Sequence, residues 1–163
     1  MTKQLADSMR LGMRRLASGV SIIATRNKSG TGFAMTVSSV TSISDEPPSL
    51  LVCVNRDTKI SSELALGHMF SINVLEQSHE DVSVVCSTGT QGEERFQTGD
   101  WNKEHGPAPS LNDAEAVFFC KVDQRVSYGT HDIVIGKITE VRVSAMEPDP
   151  LIYFNGRYCQ LKH

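Results

Sequence analysis

The strongest constraint on the fold is a succession of β-type segments with no regular alternation of strand and helix. Val20-Ser-Ile-Ile-Ala-Thr25 is short and rich in branched side chains. From Phe33 to Ser44 apolar and polar residues alternate, with Phe33, Met35, Val37, then Val40 and Ile43 on the apolar side. The doublet Ser38-Ser39 breaks the period of two and predicts a bulge or bend. After the turn Asp45-Glu-Pro-Pro48, the run Leu50-Leu-Val-Cys-Val54 is continuously apolar, the mark of a buried strand. Phe70-Ser-Ile-Asn-Val-Leu75 alternates again. Strong strands are expected from Ala116 to Val122 and from Ile133 to Val143, flanking Tyr128-Gly-Thr-His131. Leu151-Ile-Tyr-Phe154 predicts a last short strand before the turn pair Asn155-Gly156. Six or seven antiparallel strands with two or three short helices do not fit a doubly wound sheet. They predict a mainly β chain folded as a small closed or partly closed barrel.

The helical signals are few. Leu5, Met9, Met13 and Leu16 recur at helical spacing near the N-terminus, with Gly19 as a stop. This segment, within residues 1–18, is expected to pack its Met and Leu face on the body of the protein. Asp57 to Leu66 reads as a helix capped by Asp57 or Thr58 and ended before Gly67. Ser78 to Val85 reads as another, capped by Ser78. The stretch from Ser87 to Pro109 is polar, rich in Gly and Pro, and holds the only Trp; so long a loop predicts a functional or mobile segment.

The 163 residues suit a single domain spanning 1–163. Sixteen Lys and Arg against nineteen Asp and Glu give a net charge of -3. That balance argues against nucleic-acid binding through a broad basic surface but leaves room for a local phosphate pocket. No apolar run approaches the roughly 18 residues of a membrane span, and the charged start lacks a signal-peptide core. A cytoplasmic protein with no membrane association is expected. Cys53, Cys86, Cys120 and Cys159 are too far apart for a zinc knuckle or a CxxC motif, and read as small reduced hydrophobes. Neither GxGxxG nor GxxxxGK[ST] occurs.

Three places could carry chemistry. Met35-Thr-Val-Ser-Ser39, with Thr41 and Ser42 beyond, concentrates hydroxyls at a strand break, suited to a polar or anionic ligand or simply to a bend. Asn55-Arg-Asp-Thr-Lys59 lies between a buried strand and a helix. It reads as a solvated loop or as a phosphate site built from helix N–H groups, Thr58 and Lys59. His131 lies between Gly129 and a strand, where it is a ligand-contacting ring or a plain turn residue. His68, His79, His105 and His163 read as surface residues, and no spacing suggests a metal site.

Several motifs together resemble the short-chain flavin reductases, the reductase components of two-component flavin monooxygenases. They include Met9-Arg10, Leu16-Ala-Ser-Gly-Val20, Gly32-Phe-Ala-Met-Thr36, Ser42-Ile-Ser44 and Asn73-Val-Leu75. Further on come Gly92-Glu-Glu-Arg-Phe96, Trp101, Gly106-Pro-Ala-Pro109, Gly129-Thr-His131, Ile135-Gly136, Pro150-Leu-Ile-Tyr153 and Gly156-Arg-Tyr158. The resemblance implies an antiparallel, Greek-key, FMN-binding split β-barrel that forms a homodimer. It implies an oxidoreductase moving hydride from NADH or NADPH to FMN or FAD, with reduced flavin passed to a partner monooxygenase. A non-catalytic flavin-binding or electron-carrier protein is the other reading. Met35, Thr36, Val37, Ser38 and Ser39 would lie along the flavin, Asn55, Thr58 and Lys59 at its phosphate, and Phe96 and Tyr158 would also contact the cofactor. His131 would position the nicotinamide. The family commonly has Asp before this His, where the chain has Thr130. A 2′-phosphate on the nicotinamide cofactor would seek Arg95, Arg125 or Arg157.

Overall fold

Residues 2–90 and 92–162 are described by the structure, a computed structural model; Met1, Gln91 and the expected surface residue His163 lie outside them. The chain runs through α1 (Thr2–Met13), β1 (Ser18–Gly19), β2 (Ser21–Arg26), β3 (Gly32–Val37), β4 (Thr41–Asp45) and β5 (Pro48–Asn55). There follow α2 (Lys59–Glu63), β6 (Met69–Val74), α3 (Glu80–Ser87), β7 (Trp101–Asn102) and β8 (Ser110–Leu111). The hairpin of β9 (Ala116–Tyr128) and β10 (His131–Val143) precedes β11 (Ile152–Phe154) and β12 (Arg157–Cys159).

The main sheet has seven strands in the order β3-β2-β6-β9-β10-β5-β4, every neighbouring pair antiparallel. Its two edges, β3 and β4, are consecutive in sequence and joined only by residues 38–40. Seven strands laid flat would span about 29 Å, whereas so short a link reaches about 15 Å at most. The sheet must curl until its edges approach, giving a split barrel. Ser39 stitches the seam: its Oγ accepts from the Cys53 N–H at 3.0 Å and donates to the Cys53 carbonyl at 3.3 Å. The predicted break at Ser38-Ser39 is therefore where one long alternation becomes two opposite edges.

Both faces of β2 are buried. Ile23 points into the barrel with Val52, Val54, Phe70, Ile72, Val122 and Val134, and α2 plugs that interior with Ile60 and Leu64. Ile22 and Ala24 point outward, where Val82 and Cys86 of α3, Phe96, Leu111 and Leu151 cover them. A small second sheet, β1-β11-β12, closes with Asn155 and Gly156 at φ 52° and 80°, the left-handed pair that a two-residue hairpin requires.

Several expectations need correction. The N-terminal helix ends at Met13, not near Gly19; its Leu5, Met9 and Met13 are 71%, 58% and 57% exposed, and Leu16 beyond it is 58% exposed. Packing of this face on the barrel is not met within one chain. The helix expected from Asp57 to Leu66 is only α2, because Leu64 leaves helical geometry. Ser78 caps nothing; α3 starts after a 3-10 turn, Gln77–His79, whose cap is Glu76. His79 is not a surface residue: it is 3% exposed, its Nδ1 accepts the Glu76 N–H at 3.2 Å, and its Nε2 lies 3.1 Å from Asp113.

The segment 87–109 is no open loop. A 3-10 turn, Gly92–Gln97, latches it to the rim of the barrel. Glu93 Oε1 accepts the Gly32 N–H at 2.5 Å and Oε2 accepts Lys103 Nζ at 2.6 Å. Burial opposes ionisation of Glu93, but the bonds from Lys103 and Gly32 outweigh it and hold the carboxyl below its usual range. Among the described residues, no helix is long and apolar enough to cross a membrane.

Candidate functional site

A cleft of about 450 Å³ opens where the free edge of β3 meets the start of α2, the end of α3 and the 3-10 turn. Phe33, Ala34, Met35 and Thr36 line one wall, and Asp57, Thr58, Lys59 and Ile60 line the next. Cys86, Ser87, Gly92 and Arg95 close the far side.

Because β3 bonds only to β2, alternate backbone groups along it turn away from the sheet. The Ala34 carbonyl is one of these and accepts from Arg95 Nη1 at 2.5 Å. The backbone groups of Thr36, two residues on, share that direction. The Thr36 side chain is occupied in the wall itself, where Oγ1 donates to the Ser83 carbonyl at 2.6 Å.

The neighbouring corner gathers hydrogen-bond donors and one cation. Asn55 Oδ1 accepts the Asp57 N–H at 2.9 Å, and Thr58 donates to the Asn55 carbonyl through Oγ1 at 2.6 Å and N–H at 3.1 Å. These bonds turn the chain so that α2 begins at Lys59. The first N–H groups of a helix have no acceptor within it, and here they lie beside half-buried Thr58 and the exposed Lys59. Among the described residues, no ion pair involves Lys59. Arg95, by contrast, is committed to three carbonyls, Ala34, Thr90 and Thr88, at 2.5, 2.7 and 3.0 Å. Burial pushes the Cys86 thiol up to about 11 against the opposing charge of Arg95, so Cys86 is a neutral wall.

His131 does not line the cleft, yet its turn is fastened to the corner that Lys59 occupies. The Arg56 N–H donates to the Thr130 carbonyl at 3.0 Å, and Arg56 Nη2 donates to the Gly129 carbonyl. His131 itself pairs with Asn55 in the β10–β5 ladder. Its exposed ring is bonded through Nδ1 to Thr130 Oγ1 at 2.9 Å. Thr130 thus orients the ring with a hydroxyl.

Of the residues expected from sequence, the cleft gathers Met35, Thr36, Thr58 and Lys59. Val37 points into the core, Ser38 is exposed away from the cleft, Ser39 closes the seam, and Asn55 shapes the loop. Phe96 is 7% exposed and packs edge-on to Trp101 with ring centroids 4.9 Å apart. Tyr158 bonds Ser83 Oγ at 2.7 Å and so braces the wall from behind α3. The cleft also takes in Phe33, Ala34, Cys86 and Ser87, which no individual sequence signal marked. Phe33 and Ala34 do sit inside the Gly32-Phe-Ala-Met-Thr36 motif. Arg56, the link to the turn, carried no signal, because a contact across two distant strands leaves no local pattern.

The flavin reductase like domain matches residues 13–162. The FMN reductase (NADH) RutF of Agrobacterium fabrum is 38% identical over 157 residues, covering 96% of this chain and 88% of that protein. Flavin reductase PheA2 superposes with a TM-score of 0.85 at 29% identity, over 96% of this chain and 98% of PheA2. BorF, the flavin reductase component of a bacterial two-component tryptophan halogenase, gives a TM-score of 0.85 at 26% identity, over 97% of this chain and 99% of BorF. With a matching domain over nearly its whole length on a split barrel of the same shape, the chain belongs to the flavin reductase like domain family.

Proposed function

We propose that the protein reduces FMN with NADH and releases the reduced flavin to a separate oxygenase. The observation that carries this reading is the cleft between a free strand edge and the anion corner at Lys59, with the His131 turn fastened beside it. The residues suit a flavin mononucleotide. About 450 Å³ is within the range of small-ligand pockets. A planar, hydrogen-bonding ring fits the outward backbone groups of Thr36, and Met35 and Phe33 add apolar wall. Thr58, Lys59 and the first N–H groups of α2 offer charge and donors for a phosphate.

Bound there, the flavin supplies the hydride-accepting chemistry, and the chain needs no general acid or nucleophile of its own. Its residues bind and orient. Lys59 and Thr58 anchor one end, the β3 backbone sets the plane, and His131 holds the nicotinamide at reacting distance. NADH is favoured over NADPH because two of the three cations that a 2′-phosphate would seek are occupied. Arg95 is spent on carbonyls, and Arg125 on Ser61, Leu64 and Asp132. The naming of RutF relatives as NADH-dependent FMN reductases supports the same choice, and BorF, as a component of a two-component system, supports the partner oxygenase.

The direct test is to mix the protein with FMN and NADH and follow the nicotinamide absorbance. Oxidation of NADH supports the reading. A protein that holds flavin but leaves NADH untouched is a carrier, and one that binds no flavin overturns both. His131→Ala should lower kcat/KM for NADH by about tenfold, the cost of one lost contact of ~1.4 kcal/mol, while FMN affinity changes little. His131→Asn should lose less. The opposite pattern, flavin binding lost with NADH kinetics intact, would put His131 on the wrong side of the ring.

A homodimer is part of this proposal. The exposed Leu5, Met9, Met13 and Leu16 of the N-terminal segment leave an apolar face uncovered in one chain. Obligate dimers commonly bury about 2,000 Å² or more. Light scattering at micromolar concentration should give twice the chain mass; the mass of one chain would remove the dimer.

A further inference from the structure

Asp132 is 3% exposed and directly follows His131 in β10. By the alternation of that strand it points to the barrel interior with Val134, where a carboxylate is costly unless it is fully bonded. Its Oδ1 accepts from Ser127 Oγ, across the hairpin in β9, at 2.6 Å, and its Oδ2 accepts from Arg125 Nη2. The Ser127 hydroxyl and the Arg125 guanidinium hold the carboxyl below its usual range.

Arg125 then reaches a different element. Its Nη1 donates to the carbonyls of Ser61 at 3.0 Å and Leu64 at 2.9 Å, and its Nη2 donates to Ser61 Oγ at 3.2 Å. The Ser61 carbonyl also accepts the Leu64 N–H at 3.3 Å, and Arg125 adds a second donor to this end of the helix. One ion pair therefore ties the hairpin that ends at His131 to the helix that begins at Lys59. An ion pair drawn only partly out of water contributes little net stability. Its distinctive property is directional: it fixes two elements in one relative position. Arg56, in the loop between β5 and α2, makes a second tie to the same turn, through Gly129 and Thr130.

We infer that Asp132 and Arg125 are positioning residues that couple the anion corner to the His131 turn, so that a ligand seated at Lys59 also orders the turn that receives the nicotinamide. The inference rests on the flavin reductase reading for the identity of the two ligands, but the coupling itself can be measured with FMN alone. Asp132→Asn keeps the shape and removes the charge facing Arg125. The loss should fall on the turn, because Ile60 and Leu64 are buried and keep α2 in place by packing.

Amide hydrogen exchange, with and without FMN, reads the coupling. In the wild type FMN should slow exchange at residues 57–60 and at residues 129–132 together. In Asp132→Asn it should still protect 57–60, whereas its protection of 129–132 should fall about tenfold, the weight of one charge-assisted hydrogen bond. KM for NADH should rise by a similar factor with FMN affinity little changed, and Asp132→Glu should recover part of the loss. Ser127→Ala, at an exposed position, removes one bond to the carboxylate and should give the same pattern more weakly; it decides the matter alone if Asp132→Asn does not fold. Joint protection of both segments in the variants, as in the wild type, overturns the inference. So does an equal change in FMN affinity and KM for NADH that tracks a lower melting temperature, since that is a plain loss of stability. A wild type that binds FMN without oxidising NADH removes the reductase reading and leaves the exchange comparison to decide the coupling.

Discussion

Lys59→Ala should weaken FMN binding roughly ten- to hundredfold while hydride transfer at saturating flavin stays close to the wild-type rate. Lys59 is exposed beside the open N–H groups of α2, and no ion pair among the described residues occupies it. The other cation lining the cleft, Arg95, is held by three carbonyls and cannot replace it without giving up the latch. A charge-assisted bond to a phosphate contributes about 1.5–3 kcal/mol, and each 1.4 kcal/mol is tenfold in affinity. The effect should be confined to binding, because saturating flavin fills the cleft of the variant as it does that of the wild type. Quenching of flavin fluorescence measures it directly. Added salt should weaken wild-type binding more than that of the variant, since the variant has lost the screened charge. An unchanged dissociation constant would place the phosphate elsewhere.

Gly136→Ala should lower the melting temperature by roughly 5–10 °C without altering the chemistry of the cleft. Gly136 lies in β10 beside a register shift, where a Cβ would meet Phe70 Cζ at 2.5 Å and Cys120 Cβ at 2.9 Å. Phe70 and Cys120 are both fully buried. The Cys120 atom is fixed to the backbone of β9 and cannot rotate away, so strand separation has to increase. Overpacking of this kind costs about 1–3 kcal/mol, and the rigid neighbour argues for the upper part of that range. For a chain of this size each 1 kcal/mol is about 2–4 °C. Melting followed by circular dichroism is sufficient, and a melting temperature within a degree of the wild type would show that the barrel wall yields. Gly32 makes a useful contrast. A Cβ there meets Phe96 Cε2 at 2.6 Å and Glu93 Oε1 at 3.2 Å, so a side chain would strain the latch and not the barrel.

Local patterns announced most of the sheet. The apolar run from Leu50 to Val54, the alternation from Phe70 to Leu75 and the two long segments near the C-terminus became β5, β6, β9 and β10. The Asn155-Gly156 pair marked its hairpin through its φ preferences alone. What escaped was too short or too distant to leave a period. β1, β7 and β8 have two residues each, and a period of two needs more. The bonds from Glu93 to Gly32 and from Arg95 to Ala34 each join residues 61 apart, so the stretch from 87 to 109 read as a loop when it is a cover. The exposed helix face was misjudged because periodicity shows that a face is apolar, not which surface covers it. In the site, Thr58 and Lys59 were legible from the strand-to-helix junction, and Met35 and Thr36 from the hydroxyl-rich strand. Asp132 and Arg125 were not, since Arg125 reaches on to carbonyls 64 and 61 residues away, nor was Arg56, whose partners Gly129 and Thr130 are set by the antiparallel pairing of β10 with β5.

That pairing also governs how the protein can be made. Asn55 lies opposite His131, and Ser49 opposite Lys137, so β5 has no second neighbour until most of the chain has been synthesised. On the ribosome the β4–β5 hairpin forms early, from residues close in sequence, and then waits with one side of Leu50 to Val54 bare. At 5–20 residues per second the gap is roughly 4–16 s, far longer than a hairpin takes to form. During that interval the nascent chain presents an apolar strand edge to any other strand nearby. Soluble yield in cells should therefore depend on translation speed and on chaperones that shield extended segments more than on the stability of the finished barrel.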